Sequence, residues 1–295
     1  TIFGDYDVDG ATSAALLIRL LRALGGDPQA YIPDRLMEGY GPSGEALVRI
    51  AKGGARLIVT VDCGAQAFEA LAMARSAGVD VIVVDHHKCA SQLPDGFAIV
   101  NPNRLDEEEE AASHGHLAAV GVAFLLGAAL LRTLRARNFF IGREEPKLID
   151  LLDLVALGTV ADVAQLKGLN RAFVTQGLKV MAKRRNVGLA ALLDAARLTR
   201  LPACNDLGWA LGPRINAGGR VGKSDLGVRL LTTDDYAEAL SIAQELDKFN
   251  AERKTQIEFS RPYYLAGQSI LVKKDNPTIT KVEDLNGKTV CSVQG

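Results

Sequence analysis

Cysteine is scarce: four residues in 295, Cys63, Cys89, Cys204 and Cys291, with no CxxC pair among them. That spacing excludes a zinc knuckle or a disulfide framework and points to a reducing, cytoplasmic compartment. An excess of one charge is lacking too, since 34 basic and 35 acidic residues leave a formal net charge of −1. No global field then draws the chain to nucleic acid or to a membrane, so any polyanion site has to be a local patch. No uninterrupted apolar run approaches the roughly 20 residues of a membrane span, and no membrane partner is expected. Neither an initiator methionine nor a leader is present; the chain starts at Thr1 inside an apolar stretch, which reads as an artificial boundary.

What is there is a chain with 48% hydrophobic and 23% charged residues, long enough for one large or two ordinary domains. Short β-rich runs alternate with amphipathic helical stretches. RLIVTVD (Arg56 to Asp62) and DVIVVD (Asp80 to Asp85) are continuous apolar runs, the pattern of strands buried on both faces of a parallel sheet. Helical spacing covers Ala11 to Leu24, stopped by Gly25 and Gly26, and Ala65 to Ala77, stopped by Gly78. The class is α/β, and right-handed crossovers would place the C-terminal strand ends along one sheet edge, where ligands collect.

Each strand ends in acid. GDYDVDG carries Asp5, Asp7 and Asp9, IVTVD ends at Asp62, and VIVVDHH ends at Asp85 before His86 and His87. A lone strand-end aspartate is more often a helix N-cap, and Asp9 before Gly10 suits that role. Asp162, in ALGTVADV after the helical run Leu148 to Leu157, is equally well read as a loop N-cap or a ligand. Together, though, clustered carboxylates repel and are costly to desolvate, so they require a compensating cation. A mostly oxygen donor set with some imidazole suits two Mn²⁺ or Mg²⁺ ions better than structural zinc.

GDYDVDGATS, TVDCG, VVDHHK and LGTVADV occur in this order, followed by LGPRINAGGR (Leu211 to Arg220) and AQELDKFNAERKTQIE. These motifs resemble those of the DHH phosphoesterase superfamily and, within it, the RecJ family of single-strand-specific 5′ to 3′ DNA exonucleases of repair and recombination. The resemblance covers roughly residues 1–258. It implies a parallel-sheet DHH catalytic domain over 1–232 with flanking helices and a helical part, then a connecting helix over 233–258. It also implies that Asp7 and Asp9 bind separate metals, that Asp62 bridges them, and that His86 and Asp162 complete the second site. Phe3 stands where some relatives have a histidine ligand, so the first metal is expected to lean on Asp5 or water. His87 would contact the scissile phosphate of single-stranded DNA, and Asp85 would orient its neighbours. Short oligonucleotides, cyclic dinucleotides and pyrophosphate are the alternative substrates, and a non-catalytic nucleic-acid-binding module is the alternative class.

In LGPRINAGGR the glycines would let backbone approach a ligand, with Arg214, Asn216 and Arg220 as a phosphate clamp. The basic clusters Arg132, Arg135, Arg137 and Lys183, Arg184, Arg185 are candidates for tracking a DNA backbone if they line the path to the metals. Glu107 to Glu110, His114 and His116 read as loop residues. From Phe259 the character changes, and 259–295 resembles a fragment of the amino-acid-binding proteins of ABC importers. The chain is therefore read as joining two unlike sequences near Glu258. The fragment is too short for either lobe of such a protein, so no amino-acid ligand is expected, and it is left either loosely packed or paired as an added hairpin. A second, DHHA1 domain with its GGHxxAAG-like motif is absent from this stretch, from which weakened exonuclease activity is expected.

Overall fold

The apolar runs line up as one sheet because each strand is apolar on both faces and must be covered twice. The computed structural model describes residues 1–220, 223–259 and 271–273. In chain order, β1 (Ile2–Gly4), α1 (Val8–Ala23), β2 (Ala30–Tyr31), α2 (Arg35–Glu38), α3 (Gly44–Lys52), β3 (Leu57–Val61), α4 (Phe68–Ser76), β4 (Asp80–Val84) and β5 (Ala98–Val100) form the first half. Then come α5 (Glu109–Ala112), α6 (Ala119–Ala136), a 3-10 turn (Leu148–Leu151) running into α7 (Leu152–Ala161), α8 (Gly168–Met181) and α9 (Val187–Ala195). The last part holds α10 (Cys204–Asp206), a π-helical turn (Leu207–Leu211), α11 (Gly212–Arg220), α12 (Leu226–Thr232) and α13 (Tyr236–Gln256).

The sheet order is β2-β1-β3-β4-β5, and every pairing is parallel. This is the expected α/β architecture. Strand residues alternate between two cores: Ile2, Val59, Val61 and Val84 face α1, α6 and α7, while Phe3, Ile58, Val81 and Val83 face α3 and α4. Leu16, Leu154 and Leu157 are fully buried on the first side; each such side chain contributes about 1.5–3 kcal/mol. Phe3, in place of a possible histidine ligand, is wholly buried in the second core and stacks on Tyr31 at 5.2 Å.

Among the described residues one helix, α6, is long and apolar enough to cross a membrane by length and composition. Its apolarity has a local cause. Val120, Ala123, Phe124 and Leu131 enter the first core, and a Cβ at Gly127 would lie 2.9 Å from Leu20 of α1. The stretch 233–258 read as a connecting helix contains α13, and Ala239, Ile242, Ala243 and Leu246 on it belong to the same core as α1 and α7. After it, β6 (Ile257–Phe259) pairs antiparallel with β7 (Leu271–Lys273). Apart from those strand residues, the segment 259–295 read as a solute-binding fragment lies outside the described residues. Cys63, Cys89 and Cys204 are free thiols, and Cys291 lies outside the described residues.

Candidate metal centre

The sheet register sets the site. Gly4 pairs with Val61, Val61 with Val84, and Val84 with Val100. The next residues, Asp5, Asp62, Asp85 and Asn101, therefore leave the sheet side by side, and all four are buried. Asp62 turns out of β3 with φ at 60°, a left-handed conformation that aspartate tolerates better than most side chains.

α1 begins earlier than its apolar periodicity indicates, because Asp7 caps it: its carboxylate accepts from the Gly10 amide at 3.0 Å. The cap is thus Asp7 and not Asp9. Asp9 sits in the first helical turn, where its two oxygens accept from the Ala119 and Val120 amides at 2.6 and 2.9 Å. It reaches across to satisfy the start of α6, which has no side-chain cap of its own. A Cβ at Gly10 would stand 2.5 Å from the Asp5 carbonyl oxygen, so only glycine lets α1 start this close to β1. Asp162 is no N-cap either; it follows the C-terminal end of α7, with its amide bonded to the Gly158 carbonyl at 2.9 Å.

Three groups of ligand atoms result, each within 4.8 Å: Asp5, Asp7 and Asp62; Asp62, His86 and His87; and Asp9, His86 and Asp162. His86 Nδ1 lies 3.1 Å from the Leu117 carbonyl, which can only accept, so Nδ1 carries the proton and Nε2 a lone pair. That Nε2 stands 3.3 Å from Asp62 Oδ1, and both atoms are buried without a hydrogen-bond partner. Burial pulls the His86 pKa down, which disfavours the imidazolium that could bridge the pair. With Asp62 ionised, two acceptors face each other, an arrangement that a cation between them relieves.

The carboxylates give the same account. Burial, then Asp162 and Asp7, push the Asp9 pKa well above the ordinary range, and burial followed by Asp7 and Asp9 does so for Asp62. Burial and then Asp7 raise Asp162 to about 7. The donor set, mostly carboxylates with the imidazoles of His86 and His87, fits Mn²⁺ or Mg²⁺.

A sequence model of the N-terminal domain of the DHH family matches residues 1–159. The chain belongs to the DHH family. It is 46% identical over 258 residues to the single-stranded-DNA-specific exonuclease RecJ of Salmonella typhimurium, an alignment covering 86% of this chain and 44% of that protein. The RecJ of Thermus thermophilus is 39% identical over 254 residues, covering 86% of this chain and 35% of that protein. A crystal structure of exonuclease RecJ bound to manganese superposes with a TM-score of 0.75 at 40% identity, covering 86% of this chain and 62% of that one. A RecJ structure from Thermus thermophilus in complex with Mg²⁺ gives 0.61 at 34% identity, covering 86% and 32%. The chain spans less than half the length of these curated relatives, 44% and 35%.

The stretch for which the DHH family is named divides its work. Asp85 accepts from the amides of His86 at 2.7 Å, His87 at 3.2 Å and Ala65 at 2.9 Å, and its Oδ1 lies 2.7 Å from His87 Nδ1. Both of its oxygens are thus engaged within the protein. The hydrogen bond to Asp85 raises the His87 pKa, and against the upward push of burial the same bond holds Asp85 low. The imidazolium form of His87 is thus favoured, and the ring is partly open to solvent, beside the edge of exposed Tyr40 with ring centroids 6.5 Å apart. Sequence reasoning missed Tyr40, although an aromatic between two glycines in EGYGPSG was the available signal.

LGPRINAGGR is not a loop cradling a ligand. Gly212–Arg220 is helical, and its glycines serve packing: a Cβ at Gly219 would lie 2.7 Å from the Tyr6 ring and 2.8 Å from the Tyr6 carbonyl. Arg214 does not extend to an open phosphate position, because Asp247 on α13 (Nε to Oδ1, 2.9 Å) and the Ala210 carbonyl (2.6 Å) already hold its guanidinium. Asn216 accepts from the Val8 amide at 3.2 Å and so steadies the start of α1. Arg220 is exposed at the end of α11. Within the basic clusters, Arg135 pairs with Glu145, Arg184 with Asp194 and Arg185 with Asp150.

Proposed function

We propose that the chain is the catalytic part of a two-metal phosphodiesterase that degrades single-stranded DNA from its 5′ end, with Mn²⁺ or Mg²⁺ as cofactor. The observation that carries this reading is the buried, unpartnered pair of His86 Nε2 and Asp62 Oδ1 at 3.3 Å. Two bound cations would supply a water activated at neutral pH and neutralise charge on the attacking and departing oxygens. Asp5 and Asp7 would hold one cation, Asp9, His86 and Asp162 the other, and Asp62 both; membership of Asp62 in two ligand groups supports the shared role. His87, whose imidazolium form the bond to Asp85 favours, would contact the scissile phosphate. Arg220, at the exposed end of α11, would contact the phosphate. Similarity to single-strand-specific exonucleases supports the substrate, and free thiols support a cytoplasmic setting.

Titration calorimetry with Mn²⁺ on the purified chain should show two ions, and Asp62→Ala should lose both. Hydrolysis of 5′-phosphorylated single-stranded DNA in Mn²⁺ should fall by at least about 10³-fold in Asp62→Ala and by about 10-fold in Arg220→Ala, magnitudes typical of losing a metal site and of losing one phosphate contact. Absence of Mn²⁺ binding by the parent chain rejects the metal reading. Preference for a dinucleotide or pyrophosphate over the DNA strand rejects the substrate.

A further inference from the structure

Between α5 and α6 the backbone runs as a strap over one side of the site, and three successive carbonyls on it each accept from a buried or half-buried side chain. Gly115 receives Asn103 Nδ2 at 3.0 Å, His116 receives Asn170 Nδ2 at 2.7 Å, and Leu117 receives His86 Nδ1 at 3.1 Å. Immediately downstream, the Ala119 and Val120 amides donate to Asp9. The strap therefore grips two members of the Asp9, His86 and Asp162 group directly. The third member is reached through Asn170, whose Nδ2 also donates to the Gln165 carbonyl at 3.0 Å, in the loop that Asp162 opens. Asn170 is completely buried. Its amide orientation is fixed by chemistry, since the flipped group would set an oxygen against two carbonyl oxygens.

We infer that Asn170 is the positioning residue of the second cation position: a cross-brace, not a ligand, that sets the Asp162 loop at a fixed distance from the strap carrying Asp9 and His86. Asn103, which also donates to the His86 carbonyl at 2.6 Å, anchors the other end of the strap. The inference rests on the two-metal reading above. Nothing comparable joins Asn170 to Asp5 or Asp7 among the described residues, so its loss falls on one ion position and spares the other.

The test is Mn²⁺ binding by titration calorimetry and electron paramagnetic resonance on the parent chain, Asn170→Leu and Asn103→Ala, with Asn186→Ala as control. Asn186 is a similarly buried asparagine that caps α9 through the Leu189 amide at 3.0 Å and donates to the Leu231 carbonyl, neither of them in the acid cluster. Asn170→Leu keeps the branched shape, though not the volume, and deletes both donors. It should weaken one of the two Mn²⁺ positions by about 10-fold, the low end of the range for outer partners bonded directly to a metal ligand, since Asn170 acts through the His116 and Gln165 carbonyls, and leave the other within about twofold. Asn103→Ala should weaken the same position, and it decides the matter should Asn170→Leu fail to fold. Asn186→Ala should lower the unfolding midpoint without altering either affinity. Unchanged affinities in the first two variants, or equal weakening of both positions, overturn the inference while leaving the two-metal reading intact. A parent chain that binds no Mn²⁺ overturns both.

Discussion

Asp162 shows how far burial changes what a carboxylate does. An exposed aspartate ionises near pH 4, about 3.9, whereas here burial and then Asp7 raise the pKa to about 7. Without a cation, the folded chain holds a proton at Asp162 that the unfolded chain has released, so this residue makes stability fall as pH rises from about 4 to about 7. Burial of His86 acts in the opposite direction, because its pKa is lowered. Comparing the parent with Asp162→Asn, both stripped of metal by chelation, separates the two. The variant should unfold at a similar temperature near pH 4 and at a higher one near pH 8, as read by thermal melts followed by circular dichroism. In excess Mn²⁺ the order at pH 8 should reverse, since only the ionised carboxylate ligates. A variant less stable than the metal-free parent at pH 8 would contradict this account.

Among the elements, α11 is the one whose appearance in sequence misleads. Glycine-rich GPRINAGGR carries turn-forming residues, so local propensity reads it as loop, while tertiary packing makes it a helix pressed on Tyr6. Gly219→Ala should therefore destabilise the chain by about 1–3 kcal/mol through overpacking, although alanine is the better helix former by about 1 kcal/mol. Denaturant unfolding measures this, and a stabilised variant would remove the packing argument. Elsewhere legibility follows the acid at the strand end, not length: β1, with 3 residues, β3 and β4 could be read because apolar runs end in aspartate, whereas β2 and β5, with 2 and 3 residues, run on into Ile32 and Asn101. The acids and histidines of the site could be read as a set. Their supports could not: Leu117 contributes a carbonyl and Ala119 and Val120 contribute amides, groups that every residue carries and that no side chain advertises.

At the scale of the whole molecule, α13 ties the helical half to the sheet half. Leu246 is wholly buried in the core shared with α1 and α7, and Asp247 beside it fixes Arg214. Leu246→Ala should cost about 2–5 kcal/mol and lower the unfolding midpoint as a single cooperative transition. Two separate transitions would instead mean that α13 docks independently. With a near-neutral charge of −1, the proposed attraction of a polyanion would have to come from a local site and not from the surface at large.

The common register of β1, β3, β4 and β5 carries an implication for how such a site could change. Because side chains in a strand alternate between faces, inserting or deleting one residue ahead of Asp5, Asp62 or Asp85 would swing that carboxylate to the far side of the sheet. Small adjustments by sliding are therefore closed to this scaffold, and any drift in ion spacing or substrate reach has to come from the segments beyond the strand ends, with the aspartates themselves held in place.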